Sequence, residues 1–273
     1  MERQVAVVTG ASSGIGRETA RLFAEKGFIV YGAARRVERM EELKQIGVRL
    51  LAMDVTDDTS LVRGVGEILR NENRIDVLVN NAGYGSYGAL EDVPVSEARR
   101  QFEVNVFGLG RLTQLVLPQM RKQQSGRIIN ISSIGGRISE PGGAWYHATK
   151  FAVEGLSDCL RMELKQFHID VVVIQPGGIK TEWNAISREN LMKTSGSSAY
   201  QDMARKQVNL LARADSMGSS PVVIAKVIAR AALTRRPRTR YAAGMGAKPI
   251  LFFRKILPDR VFDGIMLGML RFF

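Results

Sequence analysis

The sequence is poor in the side chains that cross-link a fold or bind zinc. It has one cysteine, Cys159, and two histidines, His147 and His168, among 273 residues. A single cysteine forms no internal disulfide, which is typical of a reducing compartment. So few thiols and imidazoles argue against a dedicated zinc site, and we expect no bound metal.

Long apolar segments are also missing. No run of eighteen or more apolar residues occurs, so we expect no membrane-spanning helix. The chain passes from Met-Glu-Arg-Gln at its N-terminus straight into an apolar strand pattern. A secretory signal would need a basic region and then a longer apolar region there. These features predict a cytoplasmic protein.

Acidic residues are fewer than basic ones, with 27 Asp and Glu against 39 Lys and Arg, a net charge of +12. Such a charge attracts nucleic acid, anionic lipid or phosphorylated cofactors. The basic run Arg235–Arg240 has no accompanying helix-turn-helix, zinc finger or interleaved aromatic residues. We therefore interpret it as a solvated loop and expect no nucleic-acid partner.

Apolar strands alternate with amphipathic helices along most of the chain, and the hydrophobic fraction of 45% suits a globular core. The predicted strands are Val5–Val8, Phe28–Ala34, Val48–Met53, Val77–Val79, Arg127–Ile131, Ile169–Ile174 and Arg240–Ala243. The predicted helices are Glu18–Lys26, Val37–Ile46, Ser60–Leu69, Glu97–Arg121, Trp145–Phe167 and Val222–Leu233. Continuously apolar strands separated by helices indicate parallel βαβ units with right-handed crossovers. The fold class is therefore α/β, a single-domain, doubly wound, Rossmann-like parallel sheet with helices on both faces.

The last third of the chain is less regular. Residues 177–218 contain four glycines and scattered serines with weak periodicity, and we expect a lid or binding loop there. Within one domain spanning 1–273, residues 1–181 would form the cofactor and catalytic core. Residues 182–218 would form a substrate loop, and residues 247–273 an apolar and basic tail.

The tail has one apolar stripe at helical spacing, which comprises Phe262, Ile265, Met266, Met269, Leu270 and Phe273. Its charged residues are Lys248, Arg254, Lys255, Arg260 and Arg271, with Asp259 and Asp263. We expect the stripe to cover the substrate pocket or a subunit contact, because it would otherwise face water. The alternative is that a basic amphipathic helix lies on an anionic membrane.

A glycine-rich turn follows the first strand and opens the first helix. Its glycines are Gly10, Gly14 and Gly16, spaced G-x-x-x-G-x-G. Small residues there let backbone N–H groups approach a pyrophosphate at the positive end of a helix. The predicted phosphate loop also includes Ser12, Ser13 and Ile15.

The second strand ends in Ala33-Ala34-Arg35-Arg36, without the acid that holds the ribose hydroxyls in NAD sites. Arginine grips a phosphate through paired hydrogen bonds, so Arg35, helped by Arg36, is predicted to bind a 2′-phosphate. This pattern favours NADP(H). Asp54, after the third strand, would accept a hydrogen bond from the adenine amino group. Its alternative role is a helix cap, a role open to Thr56 or Asp57 as well.

Tyr146 and Lys150 lie four residues apart in a predicted helix and so share one face. A nearby ammonium stabilises a phenolate, so we expect the pKa of Tyr146 to fall below its reference of about 10. Such a tyrosine exchanges a proton with a carbonyl or alcohol oxygen. Ser133, just past the fifth strand, would hydrogen-bond the same oxygen.

Together these residues resemble the short-chain dehydrogenase/reductase family, over residues 5 to about 181 and in the family's order. The resemblance is carried by Thr9-Gly10-x-x-x-Gly14-x-Gly16, Asp54-Val55, Asn80-Asn81-Ala82-Gly83, Asn105, Ser133, Tyr146-x-x-x-Lys150 and Pro176-Gly177. Ser133 is assigned rather than Ser132 because the family's serine lies thirteen residues before its tyrosine.

The resemblance implies an oxidoreductase that moves a hydride between NADP(H) and a carbonyl or secondary alcohol, as a homodimer or homotetramer. Asn105 would kink its helix and hold a water that links Lys150 to solvent, and Lys150 would also hold the nicotinamide ribose. The other implied cofactor contacts are Tyr146, Asp54 and Val55, a floor of Asn81, Ala82 and Gly83, and a carboxamide seat of Pro176, Gly177, Ile179 and Thr181.

The expected substrate pocket is apolar, with lining residues Tyr84, Tyr87, Ile134, Ile138, Trp145, Trp183 and Tyr200. Such a lining suits a bulky apolar carbonyl compound. With its arginine after the second strand and its Asn-Ala-Gly-Tyr-Gly stretch at residues 81–85, the chain also resembles steroid- or retinoid-type reductases. A 3-oxoacyl-thioester reductase on the same scaffold is an alternative. A non-catalytic NADP-binding sensor or scaffold is another, although it would have no chemical use for Ser133.

Overall fold

The computed structural model describes residues 3–272. Within them, seven strands form one sheet in the order β3-β2-β1-β4-β5-β6-β7, and every neighbouring pair is parallel. The strands are β1 (Val5–Thr9), β2 (Ile29–Ala34), β3 (Arg49–Ala52), β4 (Val77–Asn80), β5 (Gly126–Ile131), β6 (Ile169–Pro176) and β7 (Arg240–Ala243). The predicted doubly wound sheet is confirmed.

Helices connect these strands and cover both faces of the sheet. They are α1 (Gly14–Glu25), α2 (Glu41–Gln45), α3 (Asp58–Glu72), α4 (Val95–Phe102), α5 (Gly108–Gln123), α6 (Ala144–Glu163), α7 (Glu182–Ser195), α8 (Gln201–Met217), α9 (Pro221–Leu233), α10 (Ala247–Ile256) and α11 (Asp259–Arg271). Among the described helices, none is long and apolar enough to cross a bilayer.

Two apolar layers hold the helices to the sheet. On one face, Phe23 of α1 and Ile228 of α9 pack against strand residues such as Val8. On the other face, Leu61 of α3 and Leu112 of α5 pack against the opposite side of the same strands. Since side chains alternate along a strand, both faces are buried and the strands are apolar throughout.

The strand order reverses at β1, which pairs with β2 on one side and β4 on the other. The loops after β1 and β4 therefore run to opposite faces of the sheet and leave a crevice at its carboxyl edge. Buried amides join the strands just below this crevice, where Asn80 Nδ2 donates to Asn130 Oδ1 across 2.9 Å. The edge that carries the predicted site is thus tied together by side chains as well as by the backbone.

The region expected to be a loop is helical. Residues 182–195 and 201–217 form α7 and α8, which pack against each other beside the crevice. Their buried positions include Ser187, Ser195 and Gln207 besides Leu191 and Ala204. A buried face with so many small or polar residues gives little apolar periodicity, which explains why the sequence pattern predicted a loop.

The long helix predicted over 97–121 is interrupted. A π-helical turn spans Glu103–Phe107 between α4 and α5. Pro118 lies inside α5, which continues past it to Gln123. The tail forms α10 and α11, and the buried members of its stripe are Phe262, Met266 and Leu270. Phe273, also assigned to the stripe, lies outside the described residues.

Candidate active site

A cavity of about 1460 Å³ occupies the crevice at the carboxyl edge of the sheet. One end is formed by the turn after β1 and by the residues that follow β2, β3 and β4. The other end is formed by α7, α8 and α11. Tyr146 and Lys150 of α6 lie between the two ends, so one continuous space joins the predicted cofactor cleft to the predicted substrate pocket.

The turn after β1 requires its glycines. Gly10 and Gly14 have positive φ angles of 67° and 52°, which side chains with a Cβ rarely adopt. A Cβ on Gly16 would lie 2.3 Å from the carbonyl oxygen of Gly10. Ser13 precedes α1 without capping it through its side chain, and the first turn of α1 has no acid. The N–H groups of this helix end therefore remain available for an anion.

Thr9 ties this turn to the end of β4. Its hydroxyl accepts hydrogen bonds from the backbone N–H groups of Asn81 and Ala82, each across 3.0 Å. The Asn81 side chain in turn donates to the Thr9 carbonyl across 2.9 Å. Sequence reasoning placed Thr9 in a motif without a role, and the structure gives it one, which is to hold both sides of the cleft at a fixed separation.

Arg35 and Arg36 follow β2, are exposed, and line the cofactor end of the cavity. Within residues 3–272, neither forms an ion pair in the structure. Asp54 also lines the cavity, while its Oδ1 accepts hydrogen bonds from the backbone N–H and hydroxyl of Thr56. Asp57, one of the two alternatives, caps α3 by accepting from Thr59 N. Asp54 therefore lines the cavity and does not cap α3, and its contact with adenine stays a prediction.

These features fit a dinucleotide cofactor. The turn lets backbone N–H groups face the cleft, and Val55, Asn81, Ala82 and Gly83 line its floor. The carboxyl end of β6 adds Pro176, Gly177, Ile179 and Thr181, as expected for the carboxamide end. A Cβ on Gly14 would lie 3.2 Å from Thr181 Cγ2, so the start of α1 and the segment after β6 lie close together.

Tyr146, Ser133 and Lys150 converge where the two halves of the cavity meet. Ser133 follows β5, and its hydroxyl is close enough to that of Tyr146 to favour the phenolate. It also starts a short 3-10 turn, whose Gly135 N–H donates to the serine oxygen across 3.0 Å. Lys150 Nζ lies 5.8 Å from the centroid of the Tyr146 ring and donates to the Ile131 carbonyl across 3.0 Å. The structure thus brings together the three residues that the sequence assigned to proton transfer.

Burial changes the acidity of this group in a way that we did not expect. The pKa of Tyr146 rises to about 12, because burial disfavours the phenolate, while the hydrogen bond from Ser133 opposes the rise. The expected lowering by Lys150 was wrong for the protein without cofactor. Burial also lowers the pKa of Lys150 to about 8, against the attraction of Glu154. Loss of hydration outweighs the Ser133 hydrogen bond at Tyr146 and the attraction of Glu154 at Lys150.

Asn105 occupies the π-helical turn and holds the loop after β4. Its Nδ2 donates to the Tyr84 carbonyl across 2.8 Å, and its Oδ1 accepts from Tyr84 N across 3.0 Å. Nδ2 also donates to Thr149 Oγ1 across 3.0 Å, one turn from Tyr146. The irregular helix predicted at Asn105 is therefore present, and the water that it would hold stays a prediction.

Aromatic rings enclose Tyr146 on its substrate side. The ring centroids of Trp183 and Tyr87 lie 5.0 Å and 5.8 Å from that of Tyr146. A Cβ on Gly85 would lie 2.4 Å from Trp183, so glycine is needed for the rings to close over the site. Tyr87 donates to Glu140 Oε1 across 2.8 Å.

Most of the predicted pocket residues line the cavity, namely Tyr84, Tyr87, Ile134, Ile138 and Trp183. Trp145 and Tyr200 do not. Trp145 packs edge-on against Phe102, and the Tyr200 hydroxyl donates to Glu91 on the surface. Trp145 lies on a different face of α6 from Tyr146 and Lys150, because consecutive residues of a helix project in different directions.

Several lining residues were missed by sequence reasoning, including Leu210, Leu211, Met217, Met245 and Ile250. The tail also contributes Met266, Met269 and Phe272. The apolar stripe was the signal for this contribution, and of its alternatives the structure shows that it lines the pocket.

The chain is similar to several known proteins. The family model described as short chain dehydrogenase matches residues 4–191. A protein of Bacteroides thetaiotaomicron named 3-ketodihydrosphingosine reductase is 38% identical over 89% of this chain and 89% of its own length. A short-chain dehydrogenase structure from Streptomyces avermitilis is 34% identical, with a TM-score of 0.82, over 97% of this chain and 95% of that one.

A third similar protein is the 3-ketoacyl-(acyl-carrier-protein) reductase of Brucella melitensis, whose structure was solved with NADH. It is 27% identical, with a TM-score of 0.74, over 90% of this chain and 98% of that one. The residues that the family model matches include β1 to β6 together with Ser133, Tyr146 and Lys150.

The lowered pKa of Lys150 can be measured directly. A lysine with a pKa of about 8 carries its charge below that pH and loses it above, whereas an exposed lysine does so near about 10.4. We expect NMR of protein labelled with ¹³C at lysine Cε to show one resonance that titrates near pH 8. Lys150→Arg should remove that resonance, while Lys122→Arg, an exposed control, should not. If every lysine titrates above pH 10, the burial argument is wrong.

Proposed function

The chain belongs to the short chain dehydrogenase family, and within it we propose an NADP(H)-dependent oxidoreductase that interconverts a bulky apolar ketone and its secondary alcohol. One observation carries the proposal. Tyr146, Ser133 and Lys150 converge in a single cavity that extends from a glycine-rich nucleotide cleft to an apolar pocket. A cytoplasmic location is part of the same proposal.

The raised pKa of Tyr146 favours it as a proton donor in ketone reduction. With a pKa of about 12, the phenol keeps its proton at neutral pH and can donate it to a carbonyl oxygen. Ser133 donates a hydrogen bond toward the same position, which stabilises the negative charge that develops on that oxygen. Lys150, charged below a pH of about 8, stabilises the phenolate that remains.

The bound cofactor supplies or accepts the hydride, and this chain's residues determine where it sits. Arg35 and Arg36 bind the 2′-phosphate, and the N-terminus of α1 binds the pyrophosphate. Pro176, Gly177, Ile179 and Thr181 seat the carboxamide. Family membership leaves the choice of nicotinamide open, because a similar protein was solved with NADH. The arginines after β2 favour NADP(H).

The apolar lining favours a large ketone. Leu211, Met245, Ile250 and Met266 extend the pocket well beyond Tyr146, with the charged Arg213 and Asp215 of α8 in the same lining. Two similar proteins are named for substrates with a 3-keto group. A 3-oxoacyl-thioester is therefore the second candidate substrate, and turnover of acyl-thioesters against free ketones separates the two. A steroid or retinoid substrate stays a prediction.

Replacement of Tyr146 by Phe removes the proton donor and keeps the ring packing. We expect turnover of a ketone to fall by about 10²- to 10⁴-fold while NADPH binding persists. Oxidation of NADPH is followed by absorbance, and binding by fluorescence titration. Tyr200→Phe, which removes a phenol outside the cavity, is the control and should keep its rate. A Tyr146→Phe enzyme that retains most of the wild-type turnover would remove Tyr146 from the mechanism.

The cofactor preference depends on Arg35. A charge-assisted hydrogen bond to phosphate is worth on the order of 1.5–3 kcal/mol, or about ten- to a hundredfold in affinity. Ala34→Asp combined with Arg35→Ala should therefore shift the ratio of kcat/KM values from NADPH toward NADH. Arg63→Ala on α3 serves as a control for lost surface charge. Equal wild-type affinity for the two cofactors would contradict this assignment.

We also propose a homodimer or homotetramer in which α5 and α6 meet a second copy. Phe107 and Phe151 are exposed beside an apolar cluster that includes Val106 and Val153. Such a patch is typical of a subunit contact. The pair Phe107→Asp with Phe151→Asp should lower the mass measured by light scattering, whereas Ile46→Asp with Leu233→Asp should not. A monomeric wild-type protein would refute the proposal.

A further inference from the structure

The substrate end of the cavity opens through an apolar rim. Four residues line the cavity and are also exposed to solvent, namely Ile186 (46%), Met217 (60%), Met269 (36%) and Phe272 (87%). They come from α7, α8 and α11 and from the residue that follows α11. Large apolar side chains at a pocket mouth are costly in water, because they gain nothing there from burial.

The rim continues along α11 away from the pocket. Val261 and Ile265 precede Met269 by eight and four residues, so they lie on the same side of the helix and are exposed as well. The buried residues Phe262, Met266 and Leu270 occupy the adjacent face, which packs on the protein. Helix α11 therefore has two apolar faces, one covered by the fold and one that runs outward from the pocket mouth.

Helix α10, which immediately precedes α11 in the chain, also has exposed apolar residues. Phe252, Phe253 and Ile256 are exposed, and the two phenylalanine rings contact each other with centroids 5.8 Å apart. We call the rim, the Val261–Ile265 strip of α11 and these three residues of α10 together the portal face; its members are Ile186, Met217, Phe252, Phe253, Ile256, Val261, Ile265, Met269 and Phe272.

The charges around the portal face are mainly positive. Residues 247–273 carry five Lys and Arg against two Asp. Lys248, Lys255 and Arg260 are exposed, while Asp259 is already paired with Arg254 across 2.8 Å. Arg235, Arg236 and Arg238 precede β7 and therefore lie near the amino ends of the strands, away from the carboxyl ends where the cavity opens. They add only long-range attraction. Exposed aromatic and aliphatic side chains flanked by basic ones are the pattern by which a helix lies in the surface of an anionic bilayer.

We propose that the portal face docks on an anionic lipid bilayer and that the substrate enters the cavity from it. The continuity of the rim with the α11 strip carries this inference, because an apolar ketone can then pass from lipid to pocket without crossing water. The inference rests on the proposed function for the identity of the substrate, an apolar ketone. Docking is measured by vesicle binding, without turnover, so the docking proposal and the proposed function can be refuted separately.

The direct test is co-sedimentation of the full chain with vesicles of two parts phosphatidylcholine and one part phosphatidylglycerol. We expect the protein to sediment with them at low ionic strength, to be released at high salt, and to ignore pure phosphatidylcholine. Val261→Ser with Ile265→Ser should lower the vesicle-bound to free ratio by roughly tenfold. Val62→Ser with Val223→Ser, equally exposed on α3 and α9, is the matched control and should not.

The contribution of charge is tested with Lys255→Glu combined with Arg260→Glu. This change should also weaken binding to the anionic vesicles by roughly tenfold or more. Lys26→Glu with Lys122→Glu makes the same change in net charge elsewhere and should weaken binding less. Reduction of a short, water-soluble ketone without vesicles should be unchanged in the Val261→Ser/Ile265→Ser protein, which shows that the enzyme is intact.

Two results would overturn the proposal. One is a wild-type protein that ignores anionic vesicles at low salt. The other is a wild-type dimer whose mass falls in the Val261→Ser/Ile265→Ser protein without any vesicle binding, because a second copy would then cover the portal face.

Discussion

The burial of the Tyr146 phenol is the constraint on which the site depends. Water is excluded from it by Trp183 and Tyr87, whose rings lie 5.0 Å and 5.8 Å away. In that surrounding the neutral phenol is favoured, so its proton is retained until a substrate oxygen accepts it. Burial also lowers the pKa of Lys150. Both groups are therefore sensitive to anything that opens the pocket, including the position of the helix that carries Trp183.

The fold and the cofactor cleft could be predicted because their signals are local. Strands buried on both faces give continuous apolar runs, and the turn after β1 needs glycine where φ is positive or where a Cβ would meet Gly10 O. Tyr146 and Lys150 are one helical turn apart, so their shared face follows from their spacing. Arg35 and Asp54 could be predicted to line the cleft because Arg35 directly follows β2 and Asp54 lies two residues after β3.

What the sequence did not predict depends on contacts between distant segments. Helices α7 and α8 were missed because Ser187, Ser195 and Gln207 occupy buried positions and weaken the apolar pattern. The pKa of Tyr146 was predicted with the wrong sign, because the residues that bury it come from other elements. Spacing along one helix reports the neighbouring charge of Lys150 but not the loss of water.

The cleft needs polar groups and the pocket needs apolar ones, although both lie at the carboxyl edge of one sheet. Different elements of the fold supply the two kinds of lining. Backbone N–H groups and Thr9 make the cofactor end polar and rigid. At the other end, α8 and α11 supply flexible apolar side chains such as Leu211, Met217 and Met266. Methionine adapts to irregular shapes, which suits a pocket for a large apolar molecule. The tail therefore lines the apolar end of the cavity.

Isotope transfer tests most directly the claim that a hydride passes between nicotinamide and ketone in this cavity. The protein is incubated with an apolar ketone and NADPH that carries deuterium on one face of the nicotinamide ring, and the experiment is repeated with the other face labelled. The account predicts that deuterium appears on the carbinol carbon of the alcohol from one face only, because the residues after β6 fix the ring's orientation. NADPH that is consumed without transfer of the label from either face, or that is not consumed with any ketone or acyl-thioester, would contradict it.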